Sequence, residues 1–307
     1  MGQNEHTFTD MARYLKNLLP AEIPADYSVK PIFTKIERED NIRNGVAALR
    51  DFMGQNYDLL IADSGQYEKP NVKIGDRNPS LAVDYPFIYH ARSVLLNIGY
   101  HSKLRGDALT FCGLQTLTPV ICCEGMESTT KISAPRLMEC LRFLSGCGLY
   151  FEGIDLDAEK PAMADDELVE VTYPDNSDVL TGLKIMAVAQ RDLRWKTNDE
   201  IFLRCDYRAL TNDTLNAAGA LKDLLTPLAF EIQETVLRLH QKSMEKGLEC
   251  TVKTGLKSSF LYTNQKTAVW EFSSSFSGGC RVSFREPGIS VPLDGSTQDC
   301  LPLPFAL

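Results

Sequence analysis

The chain has 307 residues, of which 44% are hydrophobic and 24% are charged, and its formal net charge is −9. This composition excludes wholesale disorder and supports a sizeable buried core, and the length leaves room for two or three domains. The acidic balance argues against binding to a nucleic-acid backbone, which depends on clustered Lys and Arg.

The N-terminal end and the cysteines predict a cytoplasmic protein. The first twenty residues contain no apolar run, so they do not predict a signal peptide, and no stretch of the chain predicts a membrane-spanning helix. Nine cysteines are present, an odd number, and none of them forms a Cys-x-x-Cys pair. They are therefore predicted to be reduced thiols that mostly fill the core.

The first predicted elements are a helix and a strand. Over residues 41–54 the apolar residues Ile42, Val46 and Leu49 recur at helical spacing, which predicts one buried helical stripe. The apolar run YDLLIA at 57–62 follows, and it is predicted to form a strand.

A turn, a second strand, a helix and a third strand are predicted next. The turn contains Glu-Lys-Pro at 68–70, and the alternating segment SLAVDY at 80–85 is the strand. This strand is expected to end at Tyr85-Pro86, because proline cannot donate a hydrogen bond to the ladder. A helix containing Ile88 and a strand at 107–112 complete the module.

The same order of elements is predicted a second time. A helix over 133–147 begins at Ser133, a suitable N-cap, and ends before Gly148, which suits the left-handed C′ position. It is followed by two strands, a helix and a third strand. The segments are LYFEGI at 149–154, LVEVTY at 168–173, a helix containing Val179, Leu183 and Met186, and EIFLRC at 200–205.

Four anchors recur in the same order and indicate an internal duplication. They are Leu-Arg at 49–50 and 141–142, Glu-Lys-Pro at 68–70 and 159–161, Tyr-Pro at 85–86 and 173–174, and the Cys-, Leu- and Thr-containing segments 109–118 and 202–211. Each anchor alone carries no weight, but four in one order indicate a repeated unit. Turn chemistry accounts for Glu-Lys-Pro and Tyr-Pro without any catalytic role.

The predicted fold class is α+β, built of tandem duplicated modules with the order helix-strand-strand-helix-strand and with antiparallel-rich sheets. The predicted domains are an N-terminal segment plus module 1 at 1–118, module 2 at 119–211, and a degenerate third copy at 212–307. In the third copy a helix from Phe230 precedes two strands joined around Asn264-Gln265, while Glu-Lys-Pro and Tyr-Pro are missing.

Two groups of residues raise the question of catalysis. The run Asp155–Glu170 holds seven acids against one lysine, and its extended carboxylates could hold a hard cation, although a solvated acidic hairpin is favoured. Cys122 and Cys123 could act as nucleophiles if His90 or His240 served as the base, but adjacent cysteines are more often buried. No phosphate-binding, dinucleotide-binding or metal-binding motif is present, so no cofactor and no metal site are predicted.

A ligand site is predicted in a crevice between the modules. Aromatic and basic side chains gather near the module edges, and such a lining suits a planar or anionic small molecule or a peptide. The predicted ligand-binding residues are Tyr85, Tyr89, Arg92, Tyr173, Arg194 and Trp195. The expected function is that of a cytoplasmic binding or regulatory protein, with a small molecule or peptide as partner and no nucleic acid or membrane. The alternative is a hydrolase or transferase that uses the acidic run or Cys122/Cys123. The sequence leaves the oligomeric state open.

Overall fold

The computed structural model describes residues 7–67, 86–121, 127–159, 167–192, 201–211, 217–226, 228–253, 257–275, 279–284 and 290–292. The chain divides into two compact units, Met1–Thr214 and Leu215–Leu307. Each unit combines helices with antiparallel strands, so the predicted α+β class is confirmed. The division into three modules stays a prediction.

Unit 1 packs long helices beside a small sheet. Its helices are α1 (Phe8–Asn17), α2 (Pro31–Thr34), α3 (Glu39–Ala62), α4 (Ser64–Tyr67), α5 (Pro86–His101), α6 (Ala134–Gly146) and α7 (Asp178–Asp192). Its strands are β1 (Lys103–Arg105), β2 (Ala108–Cys112), β3 (Pro119–Ile121), β4 (Glu127–Lys131), β5 (Tyr150–Glu152) and β6 (Leu168–Thr172). The main sheet has the antiparallel order β1-β2-β6-β5, and β3 pairs with β4.

Helices α3 and α7 cross at two glycines. A Cβ built on Gly45 would lie 2.6 Å from the backbone nitrogen of Gly182, and a Cβ on Gly182 would overlap the carbonyl oxygen of Gly45. Gly99 on α5 makes a similar approach to α7, where a Cβ would lie 2.5 Å from the carbonyl oxygen of Leu183. Because these three glycines have no side chains, the helix backbones can pack in direct contact within unit 1.

Unit 2 is a five-stranded antiparallel sheet covered on one face by helices. Its helices are α8 (Ala217–Leu225) and α9 (Phe230–Glu245), and its strands are β7 (Glu249–Lys253), β8 (Lys257–Asn264), β9 (Thr267–Ser275), β10 (Gly279–Phe284) and β11 (Ser290–Pro292). The order is β11-β10-β9-β8-β7. The register aligns Phe260 with Phe272 and Tyr262 with Trp270, and all four side chains are fully buried, so cross-strand aromatic pairs form the core.

Most of the predicted elements are confirmed. The helices predicted after Pro86, Ser133 and Phe230 are present, and Gly148 has the left-handed φ of 100° expected at a C′ position. The strands predicted in 107–112, 149–154 and 168–173 are present as β2, β5 and β6, and the predicted hairpin around Asn264-Gln265 joins β8 to β9. The strand predicted at 80–85 lies outside the described residues.

Two predicted strands are wrong. Residues 57–62 continue α3, because burial there follows the helical period: Tyr57 and Leu60 are buried, while Leu59 is 38% exposed. In the segment predicted as a strand at 200–205, the described residues 201–205 form turns in which Cys205 has a φ of 46°. Every one of these five side chains is buried, Arg204 included, so burial in this segment has no alternating period that would distinguish a strand.

In the parts of the chain that the structure describes, no helix has the length and apolarity that crossing a bilayer requires.

Candidate functional site

A cleft in unit 1 lies where the end of α3 and the short helix α4 face the exposed side of α6. Its volume is about 440 Å³, within the range of small-molecule sites. The residues that line it are Leu59 from α3, Asp63 at its C-cap, Gln66 and Tyr67 from α4, and Glu139, Arg142, Phe143 and Gly146 from α6.

Local sequence places these residues side by side. Leu59 and Asp63 are four residues apart at the end of α3, where the C-cap Asp63 donates its N–H to the Leu59 carbonyl at 3.0 Å. Glu139, Arg142 and Gly146 follow the period of α6 on its exposed side. One wall of the cleft is therefore a stripe of α6, and the other combines the end of α3 with α4.

Aromatic rings form the apolar part of the cleft. The Tyr67 ring stacks on Phe87 at a centroid distance of 4.3 Å, and Phe143 meets Tyr67 edge-on at 5.5 Å and Phe87 edge-on at 5.6 Å. Phe87 and Phe143 are buried, while Tyr67 is half-buried, so Tyr67 brings the edge of this cluster into the cleft. The Arg136 guanidinium covers the Phe87 ring at 5.6 Å.

Charged groups line the rim. Arg142 directs its donors to the backbone, since its Nε and Nη2 donate to the carbonyls of Leu156 and Ala158, each at 2.7 Å. Arg136 pairs with Glu139 at 2.7 Å, but the Glu139 side chain is still 44% exposed. Asp63 is exposed as well, so the rim offers two solvent-facing carboxylates.

The protonation states near the cleft follow from burial and charge. Burial raises the pKa of the Tyr67 phenol, and the nearby Asp63 carboxylate raises it further, so the phenol stays neutral at physiological pH. Burial raises the pKa of Cys140 and of Cys147, each to about 12, so these thiols are protonated. Burial also lowers the pKa of His90, and the charge of Arg136 lowers it further.

The predicted ligand-binding residues fall into two sets. Tyr89 is half-buried on α5; Arg92 is 5% exposed on the same helix and donates from Nη2 to the Ile121 carbonyl. Tyr173 is 7% exposed, meets Phe52 edge-on at 5.3 Å, and lies where a Cβ on Gly148 would be. These contacts hold Arg92 and Tyr173 in the interior of unit 1. Tyr85, Arg194 and Trp195 lie outside the described residues, and the crevice they were predicted to line stays a prediction.

The residues proposed for catalysis are only partly described. Cys122 and Cys123 lie outside the described residues, as do Asp165 and Asp166 of the acidic run. Asp155 accepts a hydrogen bond from the Asp157 N–H at 3.0 Å, which is the geometry of an Asx turn. Across the ranges that the structure describes, no three His, Cys, Asp or Glu side chains are placed to hold a metal ion.

A hydrogen-bonded polar group is buried in unit 2. The Tyr262 hydroxyl lies 2.8 Å from His240 Nδ1, and it is also hydrogen-bonded to the Cys250 thiol. Burial raises the pKa of Cys250, which keeps the thiol protonated at neutral pH, whereas a cysteine nucleophile needs a thiolate. The group therefore satisfies polar atoms within the core and does not support thiol catalysis.

No protein-family model, no curated protein and no solved structure matches this chain. Tyr67, Phe143 and Glu139 are not among the residues that the sequence predicts for a ligand site. The available signal was the Leu-Arg anchor at 141–142, which marks the helix that forms one wall.

Proposed function

We propose that the chain is a cytoplasmic binding protein whose ligand occupies the cleft between α3/α4 and α6. The ligand is a small molecule, or a peptide side chain, with an amine next to a flat apolar group. The observation that carries this proposal is the exposed pair Asp63 and Glu139 beside the aromatic edge of Tyr67. The cleft joins residues of predicted modules 1 and 2, as the sequence-based hypothesis of a ligand between modules requires.

The charges of the rim favour a cation. Asp63 and Glu139 line the cleft with Arg142, whose donors are engaged with two backbone carbonyls, and Glu139 stays 44% exposed although it pairs with Arg136. An ammonium group can donate to exposed carboxylates through charge-assisted hydrogen bonds, which are stronger than neutral ones. An anionic ligand would meet the like charge of Asp63.

The aromatic part favours a planar group. Tyr67 is fixed by its stack on Phe87, so its ring needs little ordering when a ligand packs against it. Leu59 and Phe143 add apolar contact in the same cleft. A flat ring with an amine on a short arm can then contact the aromatic edge and the carboxylates together.

The test is calorimetric titration of the full chain with aromatic amines. Tyramine is expected to bind. The acid 4-hydroxyphenylacetate, which has the same ring with a carboxylate in place of the amine, is expected not to bind. In the double variant Asp63→Asn and Glu139→Gln the affinity for tyramine should fall roughly tenfold or more, because each charge-assisted hydrogen bond contributes ~1.5–3 kcal/mol.

The matched control removes two carboxylates outside the cleft. Asp58 and Glu152 are exposed and do not line the site, so Asp58→Asn with Glu152→Gln should leave binding unchanged at the same net charge. Failure of every amine in a panel of aromatic and aliphatic amines, or preference for the acids, would contradict the proposal.

The cytoplasmic location is supported by the cysteines. The six that the structure describes are free thiols, and Cys140, Cys147 and Cys205 are buried. Thiol titration of the native protein should label few of them, and two or more native disulfides would contradict this location.

We also infer that modules 1 and 2 arose by duplication and that their element orders have since diverged, because 57–62 is helical where module 2 has β5, and 201–205 forms turns where module 1 has β2. Helices α5 and α7 begin 92 residues apart, at Pro86 and Asp178, which is the offset of the Leu-Arg anchor. The two anchor arginines also make equivalent hydrogen bonds to the backbone. Arg50 donates from Nε and Nη2 to the carbonyls of Pro20 and Ala21, and Arg142 donates from the same two atoms to the carbonyls of Leu156 and Ala158. A crystal structure in which residues 41–118 did not superpose on 133–211 would contradict the duplication.

A further inference from the structure

Helix α9 has a second apolar stripe, separate from the one that covers the sheet. The sheet-facing residues Val236 and Leu239 are buried in the core of unit 2. On another side of the helix Phe230 is 65% exposed, Leu237 is 42% exposed and Met244 is 46% exposed. Large apolar side chains grouped on one surface mark an interaction site more often than scattered ones do.

The three residues of this stripe repeat every seven residues, which is the period of a single heptad position. Phe230, Leu237 and Met244 are seven residues apart in each step, so they lie almost in line along the helix, as the positions of one heptad column do. The stripe is also symmetric about its middle. When an identical helix lies antiparallel with Leu237 opposite Leu237, Phe230 of each copy faces Met244 of the other.

The charges along α9 select the antiparallel orientation. The half before Leu237 contains Glu231 and Glu234 and no basic residue. The half after it contains the basic residues Arg238 and Lys242 and the single acid Glu245, and Lys246 follows at the C-cap. In a parallel pair the acidic halves would lie together, whereas in an antiparallel pair each acidic half lies against a basic one.

We propose that a second copy of this chain covers the stripe, with the two α9 helices antiparallel and a two-fold axis at Leu237. The apolar spacing and the charge order are separate features of the helix, and both give the same arrangement. A self-complementary patch of this kind is what an isologous two-fold interface requires. The proposal does not depend on the ligand proposed for unit 1.

The first test is the mass of the full chain in solution over a wide concentration range, by sedimentation velocity. The wild-type chain should pass from monomer to dimer as the concentration rises. Leu237→Glu places two like charges at the centre of the seam, and it should raise the dimer dissociation constant at least about tenfold. The position is exposed in the single chain, so circular dichroism should show an intact fold.

The matched control is Leu168→Glu, which puts the same charge on another exposed leucine, 56% exposed on β6 in unit 1. It should leave the dissociation constant unchanged. A wild-type chain that stays monomeric at every concentration overturns the proposal. The same result is expected if a different protein covers the stripe, and it overturns the proposal in that case too. A dimer that Leu237→Glu does not weaken overturns it as well.

A second test determines the orientation by disulfide trapping under oxidising conditions, with the unsubstituted chain as background. Phe230→Cys alone should form no added cross-link, because in the antiparallel pair the two copies of position 230 are about 21 Å apart. The double variant Phe230→Cys with Met244→Cys should cross-link readily. Efficient cross-linking of the single variant indicates a parallel pair and overturns the proposal.

Discussion

His240 is the residue in unit 2 whose titration is expected to affect stability near neutral pH. Its Nδ1 lies 2.8 Å from the fully buried Tyr262 hydroxyl, and burial lowers its pKa below the ordinary value of 6.5. The folded state therefore binds this proton less readily than the unfolded chain does. The stabilisation from neutral His240 is fully present above pH 6.5 and is lost as the pH falls below that value.

The prediction is that His240→Asn reduces the pH dependence of unit 2. Asparagine can place an oxygen acceptor near the position of Nδ1 but does not titrate, so the free energy of unfolding should fall less in the variant between about pH 7 and 5.5. Unfolding by urea, followed by the fluorescence of Trp270 in a chain that also carries Trp195→Phe, measures this difference. Equal pH dependence in both chains would show that His240 does not contribute.

Some of the contacts that form the cleft can be predicted from single residues in the sequence, and others cannot. The burial of Phe87 and Phe143 follows from the apolar periods of α5 and α6, which the sequence displays. That Tyr67 stacks on Phe87 depends on how the chain returns from the end of α3 to the start of α5, and no local pattern encodes it. The predicted Arg92 has the right chemistry for a ligand, but a buried backbone carbonyl takes its donor.

At the scale of elements, the crossing of α3 and α7 is the tightest contact in unit 1 that a single substitution can test. Gly182→Ala would push a methyl group into the Gly45 carbonyl, which neither helix can avoid without moving apart. We expect the free energy of unfolding to fall by roughly 1–3 kcal/mol or more, measured by urea denaturation.

The matched control is Gly54→Ala, on α3. A Cβ at Gly54 would meet only Leu19 Cδ1, at 3.9 Å. Alanine is there favoured over glycine inside a helix, so this variant should gain up to about 1 kcal/mol. If both variants had the same effect, close backbone approach would not be what holds α3 against α7.

The two wrong strands show which elements the sequence leaves ambiguous. In α3, Met53, Tyr57 and Leu60 continue the helical stripe, so the helical period is present in the sequence. Gly54, however, resembles a break in the helix, and the apolar run at 57–62 resembles a strand. At 201–205 the burial of the side chains shows no period, because all five residues are buried. Short apolar runs of this kind give the same pattern for strand, helix or buried turn. Alternating strands such as β6 were predictable because only one of their faces is buried.

At the scale of the whole molecule, sequence patterns gave the α+β class, but they did not locate the cleft. The cleft requires the end of α3 to face the exposed side of α6, about eighty residues later in the chain. The predicted repeat has one Leu-Arg anchor on each of these two helices, yet it does not specify which faces of the helices meet. Long-range packing determines which faces meet, and no single segment of the sequence specifies that packing.

The division into two units predicts that residues 215–307 fold when expressed alone. This unit has its own core, in which Trp270, Tyr262, Phe260 and Phe272 are fully buried beneath α8 and α9. Trp195 lies in the other unit, so Trp270 is the only tryptophan of the fragment. The fragment should show the blue-shifted emission of a buried indole and unfold in one cooperative transition in urea.

The matched control is the full chain with Trp195→Phe, in which Trp270 is again the only tryptophan. Its emission maximum and the denaturant slope of its Trp270 transition should agree with those of the fragment, because both report exposure of the same core. Emission typical of a hydrated indole, without a cooperative transition, would contradict independent folding. It would mean that the Tyr262–Trp270 stack, with its centroid distance of 3.9 Å, forms only when unit 1 is present.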